Sequence, residues 1–355
     1  MFLALKELAH SKKKFALIIA VVILVSYLVY FLTSLAYGLA SSYTDAVNKW
    51  ESDQVVITVD ANDNMMMSFI MPNDFEDLEV TGSKAKLGLF PAVIKNPEAS
   101  DDIDTRLNIY LFGIEDDSFL KPTDATQTIS GYQVIVSDEL QNEGYEIGDR
   151  IAISGSDIEL EIVGFTAKAT YQTAPVIYVD LATWQEYRFS TETPPPLFSS
   201  IIVRGEINSI DSKFATYTID DYIFTLPGYT AQVLTFSIMI IFLIIIVAFV
   251  LGIFIYVLTI QKTPMFGVMK AQGISNFYIS SSVLLQTIVI VAIGILIGLV
   301  LTEVSVFFLS SFVPLATNLL FYVVITLAFF LFAIFGGLFS VKAVLKIDPL
   351  RAIGG

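Results

Sequence analysis

Residues 234–260 read LTFSIMIIFLIIIVAFVLGIFIYVLTI and contain no charge. At 1.5 Å per residue a helix of this run covers roughly 39 Å, more than the ~30 Å hydrocarbon core of a bilayer. Backbone N–H groups in that layer must be satisfied within their own segment, so the run is a membrane-spanning helix. It ends at Gln261-Lys262-Thr263-Pro264, and Met265-Phe-Gly-Val-Met-Lys-Ala-Gln-Gly-Ile-Ser275 follows with a different character. Met265, Val268 and Met269 recur at helical spacing, Lys270 lies beside them, and Gly273 is a helix stop. The expectation is a short amphipathic helix over 261–276, a surface that a membrane subunit presents to a soluble partner. A tight loop with no partner is the bland reading of the same residues.

The same logic applied outward finds three more uncharged or nearly uncharged runs, at 15–40, 277–301 and 319–341. The run at 15–40 follows basic residues, as a signal peptide does. It is about 26 residues long, beyond a typical apolar region of roughly 7–15, and is expected to be retained as a span. Residues 1–14 form an amphipathic stretch, with Phe2, Leu3, Leu5 and Leu8 facing lipid and Lys6, Lys12, Lys13 and Lys14 facing headgroups. Between the first two spans, residues 41–232 carry 32 acidic and 11 basic side chains, with prolines and glycines throughout. That composition is a folded soluble domain. Strands are expected at 55–59, 109–112, 133–136, 150–154, 159–165, 176–179 and 200–204, with short helices at 138–143 and 181–187. The expected fold class is therefore an α-helical four-span membrane protein with an extracytoplasmic α+β domain inserted between spans 1 and 2. Residues 302–318 form a short outer loop, and 342–355 a basic tail.

Charge assigns the sides. The N-terminal stretch, the 261–276 segment and the tail hold Lys6, Lys12, Lys13, Lys14, Lys262, Lys270, Lys342, Lys346 and Arg351 against two acids, Glu7 and Asp348. The positive-inside rule places all three in the cytoplasm and the acidic domain outside the cell membrane. The acid excess of that domain argues against nucleic acid as a partner.

Composition excludes several chemistries. With no cysteine and a single histidine, His10, there is no thiolate site, disulfide or histidine cluster in one chain. No phosphate-binding loop is present, and the spans lack mid-membrane charges of the kind that drive ion-coupled transport. The chain reads as a non-enzymatic membrane subunit driven from outside itself.

The plan of four spans with an outer domain between the first two resembles the MacB/FtsX-like permeases of ABC transporters. Phe266-Gly-Val-Met-Lys-Ala-Gln-Gly273 is similar to that family's coupling segment, G-[IV]-[LM]-[KR]-A-[IL]-G, with Gln272 in place of an aliphatic residue. Asp348-Pro-Leu-Arg-Ala-Ile353 is similar to its [DN]-P-[IVL]-x-A-[IL] ending. The resemblance implies a homodimer in membrane lipid, bound to two copies of a separate ATPase that holds ATP-Mg. Pro264, Met265, Phe266, Gly267, Met269, Lys270 and Gly273 would then be the coupling residues, passing ATP-driven closure to the outer domains by mechanotransmission.

Three further stretches resemble the HrtB-type permeases of haem-efflux pumps: Phe254-Ile-Tyr-Val-Leu-Thr-Ile-Gln-Lys262, Leu284-Leu-Gln286 and the terminal Asp348–Gly355. DevC-type permeases, linked to glycolipid export, share much of this pattern. The resemblance implies no intrinsic cofactor and haem as the substrate. Iron ligands would come from Tyr37, Tyr43, Glu51 and Met65, Met66 and Met67 beyond span 1, since Met, Tyr and carboxylates all ligate iron. The other reading of the methionines is packing, and of Glu51 a solvated acid. Exporters of lipid or peptide, and an FtsX-like signalling permease that transports nothing, remain the alternatives. Gly294-x-x-x-Gly298 is a small-residue pair suited to close helix packing.

Overall fold

The computed structural model describes residues 12–95, 106–191, 193–310 and 312–345, with side chains between 15 and 339. The expected stretch at 1–14 and the 348–353 ending lie outside, save for the backbone of 12–14. The chain divides into two compact units, one made of its two ends up to Gly38 and from Leu234, the other of Leu39–Val233.

The first unit holds helices long and apolar enough to cross a membrane, with spans at Phe15–Asn48, Tyr229–Gln261, Asn276–Leu309 and Leu319–Phe339. This is a membrane protein. Each helix buries one stripe and leaves the rest to hydrocarbon. In the second span that stripe is Val247, Leu251, Ile255 and Thr259, one residue per turn, packed with Val22, Val29, Tyr30, Val291, Ile295 and Phe329. Lipid tails are as apolar as leucine, so tight backbone approach and interhelical hydrogen bonds hold the bundle together. Both are present. A Cβ on Gly294 would lie 2.4 Å from Val22 Cγ1, and one on Gly298 2.1 Å from Ser26 Oγ, so the expected small-residue pair is where spans 1 and 3 cross. Ser26 Oγ donates to Gly294 O at 3.1 Å. Tyr30 and Thr326 hydroxyls meet at 2.7 Å, and Ser34 and Tyr322 at 2.6 Å, tying span 1 to span 4.

The helices outrun the expected boundaries. The third continues to Leu309, because no breaker intervenes before Ser310. The first runs on to Asn48, and its last turns begin the second unit, where Ala46, Val47 and the following Trp50 are fully buried.

The Leu39–Val233 unit is built on strands β1 (Gln54–Thr58), β2 (Glu79–Val80), β3 (Ser83–Lys95), β4 (Arg106–Ile114), β5 (Gln133–Ser137), β6 (Arg150–Ile153), β7 (Glu159–Thr166), β8 (Thr170–Tyr171), β9 (Ala174–Asp180), β10 (Ser200–Arg204), β11 (Ile207–Ser209) and β12 (Phe214–Thr218). Ten of them form one mixed sheet in the order β12-β1-β10-β3-β4-β9-β5-β7-β6, with β8 on β9. β6 also pairs with the end of β3, through Ile94↔Ile153, so the second part of the sheet closes on itself. The expected hairpin at 150–165 is the β6–β7 pair. Strands β2, β3, β8, β11 and β12 have no counterpart among the expected strands, and β3 is the longest of all. Its buried positions run Ala85, Leu87 and Leu89 and then change phase past Pro91 to Ala92 and Ile94, which breaks the period-2 signal.

Gly88 and Gly113 face each other across β3 and β4. A Cβ on either would strike Trp184, at 2.3 and 2.5 Å, so the paired glycines make the slot in which the Leu181–Phe189 helix seats its indole.

Candidate functional site

The segment after the second span is a helix over Thr263–Ala271. Pro264 stands in its first turn, where a missing N–H costs nothing. Gly273, at φ +82°, ends it. Gly273 N–H donates to Lys270 O at 3.0 Å and Ile274 N–H to Met269 O at 3.1 Å, which closes the last turn. Ile274 and Met269 then pack beside Phe266 on Ile279 and Val283. Phe266 and Gly267 are buried, while Pro264, Met265 and Val268 face out and Met269 and Lys270 are half-covered. The expected apolar face is thus split: Met269 anchors the helix with Phe266, and Met265 and Val268 form its free surface. Phe277 and Tyr278, at the start of the next helix, extend the exposed apolar area. Lys262, just before the helix, donates to Gln286 Oε1 at 2.8 Å and lies 5.0 Å from the Phe15 ring centroid.

The six candidate iron ligands belong to both units, Tyr37 to the first and the other five to the second. Tyr37 belongs to the membrane unit and stacks edge-on against Phe321 at 5.6 Å. Tyr43 stacks against Tyr229 at 5.9 Å, and its carbonyl accepts the Gln172 N–H at 3.0 Å. Glu51 has its side chain 78% exposed, 3.9 Å from Arg204. With Ser52, Asp53, Thr218 and Asp220 it lines a polar cleft of about 350 Å³.

The three methionines form one 3₁₀ turn capped by Asn64, whose Oδ1 accepts the Met66 N–H at 3.1 Å. Three residues per turn throw successive side chains about 120° apart, so no two share a direction. Met65 is 2% exposed, and its sulfur accepts hydrogen bonds from Ser200 Oγ at 3.3 Å and Tyr222 Oη at 3.7 Å. It floors a second cleft of about 440 Å³, with its sulfur engaged by the Ser200 and Tyr222 hydroxyls. Met66 is half-buried against the core. Met67 is 61% exposed.

One ion-pair network stands nearby in the same unit. Lys49 Nζ lies 2.9 Å from Asp124 Oδ1, which also takes a 2.6 Å bond from the Thr166 hydroxyl, while Oδ2 takes the Ala167 N–H at 2.9 Å. Partial burial acts to raise the Asp124 carboxyl. The Thr166, Lys49 and Ala167 donors outweigh it and hold the group down at about 2.

Comparison with known proteins bears on this geometry directly. Residues 235–349, which hold most of the second span, the Thr263–Ala271 helix and the last two spans, match the family described as FtsX-like permease C-terminal. The chain carries an FtsX-like permease domain. Across its whole length it is 25% identical to a protein of Staphylococcus epidermidis described as a candidate hemin transport system permease, HrtB, covering 99% of that protein. It is 22% identical, with the same coverage, to an uncharacterised ABC transporter permease of Mycobacterium tuberculosis. Among solved structures it is similar to the periplasmic region of MacB from Actinobacillus actinomycetemcomitans, at 10% identity and a TM-score of 0.32, over 48% of this chain and 89% of that one. The helix built from Pro264, Phe266 and Gly273 therefore lies inside the FtsX-like permease domain.

Proposed function

We propose that this chain is the membrane subunit of an ABC-type exporter that removes haem from the membrane, powered by two copies of a separate ATPase. The observation that carries the reading is the end-to-end similarity to permeases named for hemin transport, with the FtsX-like domain at its C-terminal end. Two copies of the chain would form the exporter, with termini and the Thr263–Ala271 helix in the cytoplasm and the acidic domain outside. Charge distribution supports that sidedness.

Met265 and Val268 offer the ATPase an exposed apolar knob on a helix whose position Phe266, Met269 and Gly273 fix, with Pro264, Gly267 and Lys270 shaping its ends and back. ATP-Mg belongs to that partner, and haem is cargo. Of the candidate ligands, Glu51 and Met67 expose the atoms that iron needs. In a two-fold dimer one such group per copy gives two ligands to one haem.

The test is genetic. A strain lacking the gene should fail to grow at haemin concentrations its parent tolerates. Growth should return when the chain is supplied again, and in a strain that lacks the ATPase gene as well only when both are supplied. Equal haemin tolerance with and without the gene overturns the substrate assignment.

A further inference from the structure

The residues after the methionine turn run in extended conformation, and Ile70 forms an isolated antiparallel bridge with Phe198, with N–H to O distances of 2.8 and 3.2 Å. Alternation then sorts the side chains. Ser68 and Ile70 are fully buried, while Met67, Phe69 and Met71 stand on the other side, 61%, 37% and 60% exposed. Two such steps span about 13 Å. Two flexible thioethers flanking an aromatic ring make an apolar row that adapts to the shape laid on it.

Arg188 lies beside that row. Its guanidinium carbon is 4.1 Å from the Phe90 ring centroid, 5.2 Å from Phe69 and 5.9 Å from Phe189. Three ring faces hold the cation, and they supply no counter-ion. Among the described residues Arg188 makes no hydrogen bond or ion pair, and its Nε is buried without an acceptor. Elsewhere in the unit, Lys49, Lys86, Lys121, Arg150, Arg204 and Lys213 each pair with a carboxylate. In a domain with 32 acids against 11 bases, this arginine has no carboxylate partner and its planar fork is unfilled. Burial lowers its pKa, in keeping with a cation short of solvation.

We infer that Met67, Phe69 and Met71 with Arg188 form a binding site on the outer domain for an amphiphile that carries a carboxylate and a flat apolar body. The carboxylate takes the guanidinium, and the body lies along the apolar row. The negative field of the domain favours a ligand with one or two anionic groups over a strongly acidic protein. The porphyrin form of this inference rests on the haem reading above, since a porphyrin dicarboxylate is of this class and thioether sulfur ligates haem iron.

The test uses the full-length chain in lipid nanodiscs, titrated with haemin, with metal-free protoporphyrin and with a fluorescent fatty acid. Porphyrin binding weakened about 10-fold or more by Arg188→Gln, less by Arg188→Lys, and also by Met71→Ser, supports the site. Met71 is exposed, so its loss leaves the fold intact. Saturable porphyrin binding indifferent to all three variants overturns the site and leaves the haem reading standing. Fatty-acid binding that Arg188→Gln weakens, with no porphyrin bound, overturns both the flat-bodied ligand and the haem reading. Binding of none of the three probes overturns the site.

Discussion

Phe266→Ala should release the Thr263–Ala271 helix from its seat. The ring is buried against Ile279 and Val283, with Met269 and Ile274 completing a small cluster separate from the bundle core. Phe→Ala in a core costs about 3–5 kcal/mol. A five-residue cluster at the rim collapses more easily, which places this site near the lower end, at about 3 kcal/mol. At 1.4 kcal/mol per decade that shifts the docked-to-undocked ratio by roughly 100-fold. Gly273 and the Met269–Ile274 hydrogen bond are unaffected, so the helix should stay wound while it comes loose. The chain has no cysteine, so Val268→Cys supplies a single site for a nitroxide spin label on the exposed face. The labelled protein should show a restricted electron paramagnetic resonance line shape, and the Phe266→Ala variant a mobile one. Partner ATPase activity should fall in parallel. An unchanged line shape refutes the reasoning that Phe266 is the anchor.

Gly298→Ala and Gly252→Ala should act in opposite directions in thermal survival assays of the detergent-purified chain. The first drives a Cβ to 2.1 Å from Ser26 Oγ and should cost about 1–3 kcal/mol, whereas the second meets nothing within 4 Å and gains helix propensity. Gly113→Ala should push Trp184 from its slot, read as a red shift in tryptophan emission. An unshifted spectrum contradicts the overlap at 2.5 Å. Asp124→Asn should destabilise the outer domain at neutral pH by about 1 kcal/mol, small because the side chain is 43% exposed. The folded carboxyl sits near 2, below its unfolded value, so its contribution is complete above about pH 4 and fades as the pH falls toward 2. Urea midpoints of wild type and variant should converge over that window. A gap that is flat with pH refutes the assignment.

The membrane plan was legible because hydrocarbon imposes one rule on every residue of a span. Long uncharged runs, a terminating Pro264 and a positive-φ Gly273 needed no knowledge of neighbours. The long central strand β3 was hidden, because lysines, glycines and a proline are tolerated there for reasons that lie elsewhere in the chain. Gly88 is glycine because Trp184, almost a hundred residues on, occupies its Cβ position. The Met65–Met67 triplet was visible as unusual, but one 3₁₀ turn divides it into a buried, a half-buried and an exposed residue, and only the backbone conformation reveals that division. Arg188 gave no signal at all in the sequence. Its meaning comes from three phenylalanines gathered around it from positions 69, 90 and 189, and from the absence of a carboxylate of the kind that pairs with Lys49, Lys86, Lys121, Arg150, Arg204 and Lys213.

The most direct test of the account is the ATPase rate of the permease–ATPase complex in lipid nanodiscs, measured against haemin concentration with Soret absorbance followed in the same sample. The account predicts saturable stimulation that tracks saturable Soret binding, weakened by Glu51→Ala and abolished by Phe266→Ala. An ATPase rate indifferent to haemin, with no saturable Soret change, contradicts haem as the cargo.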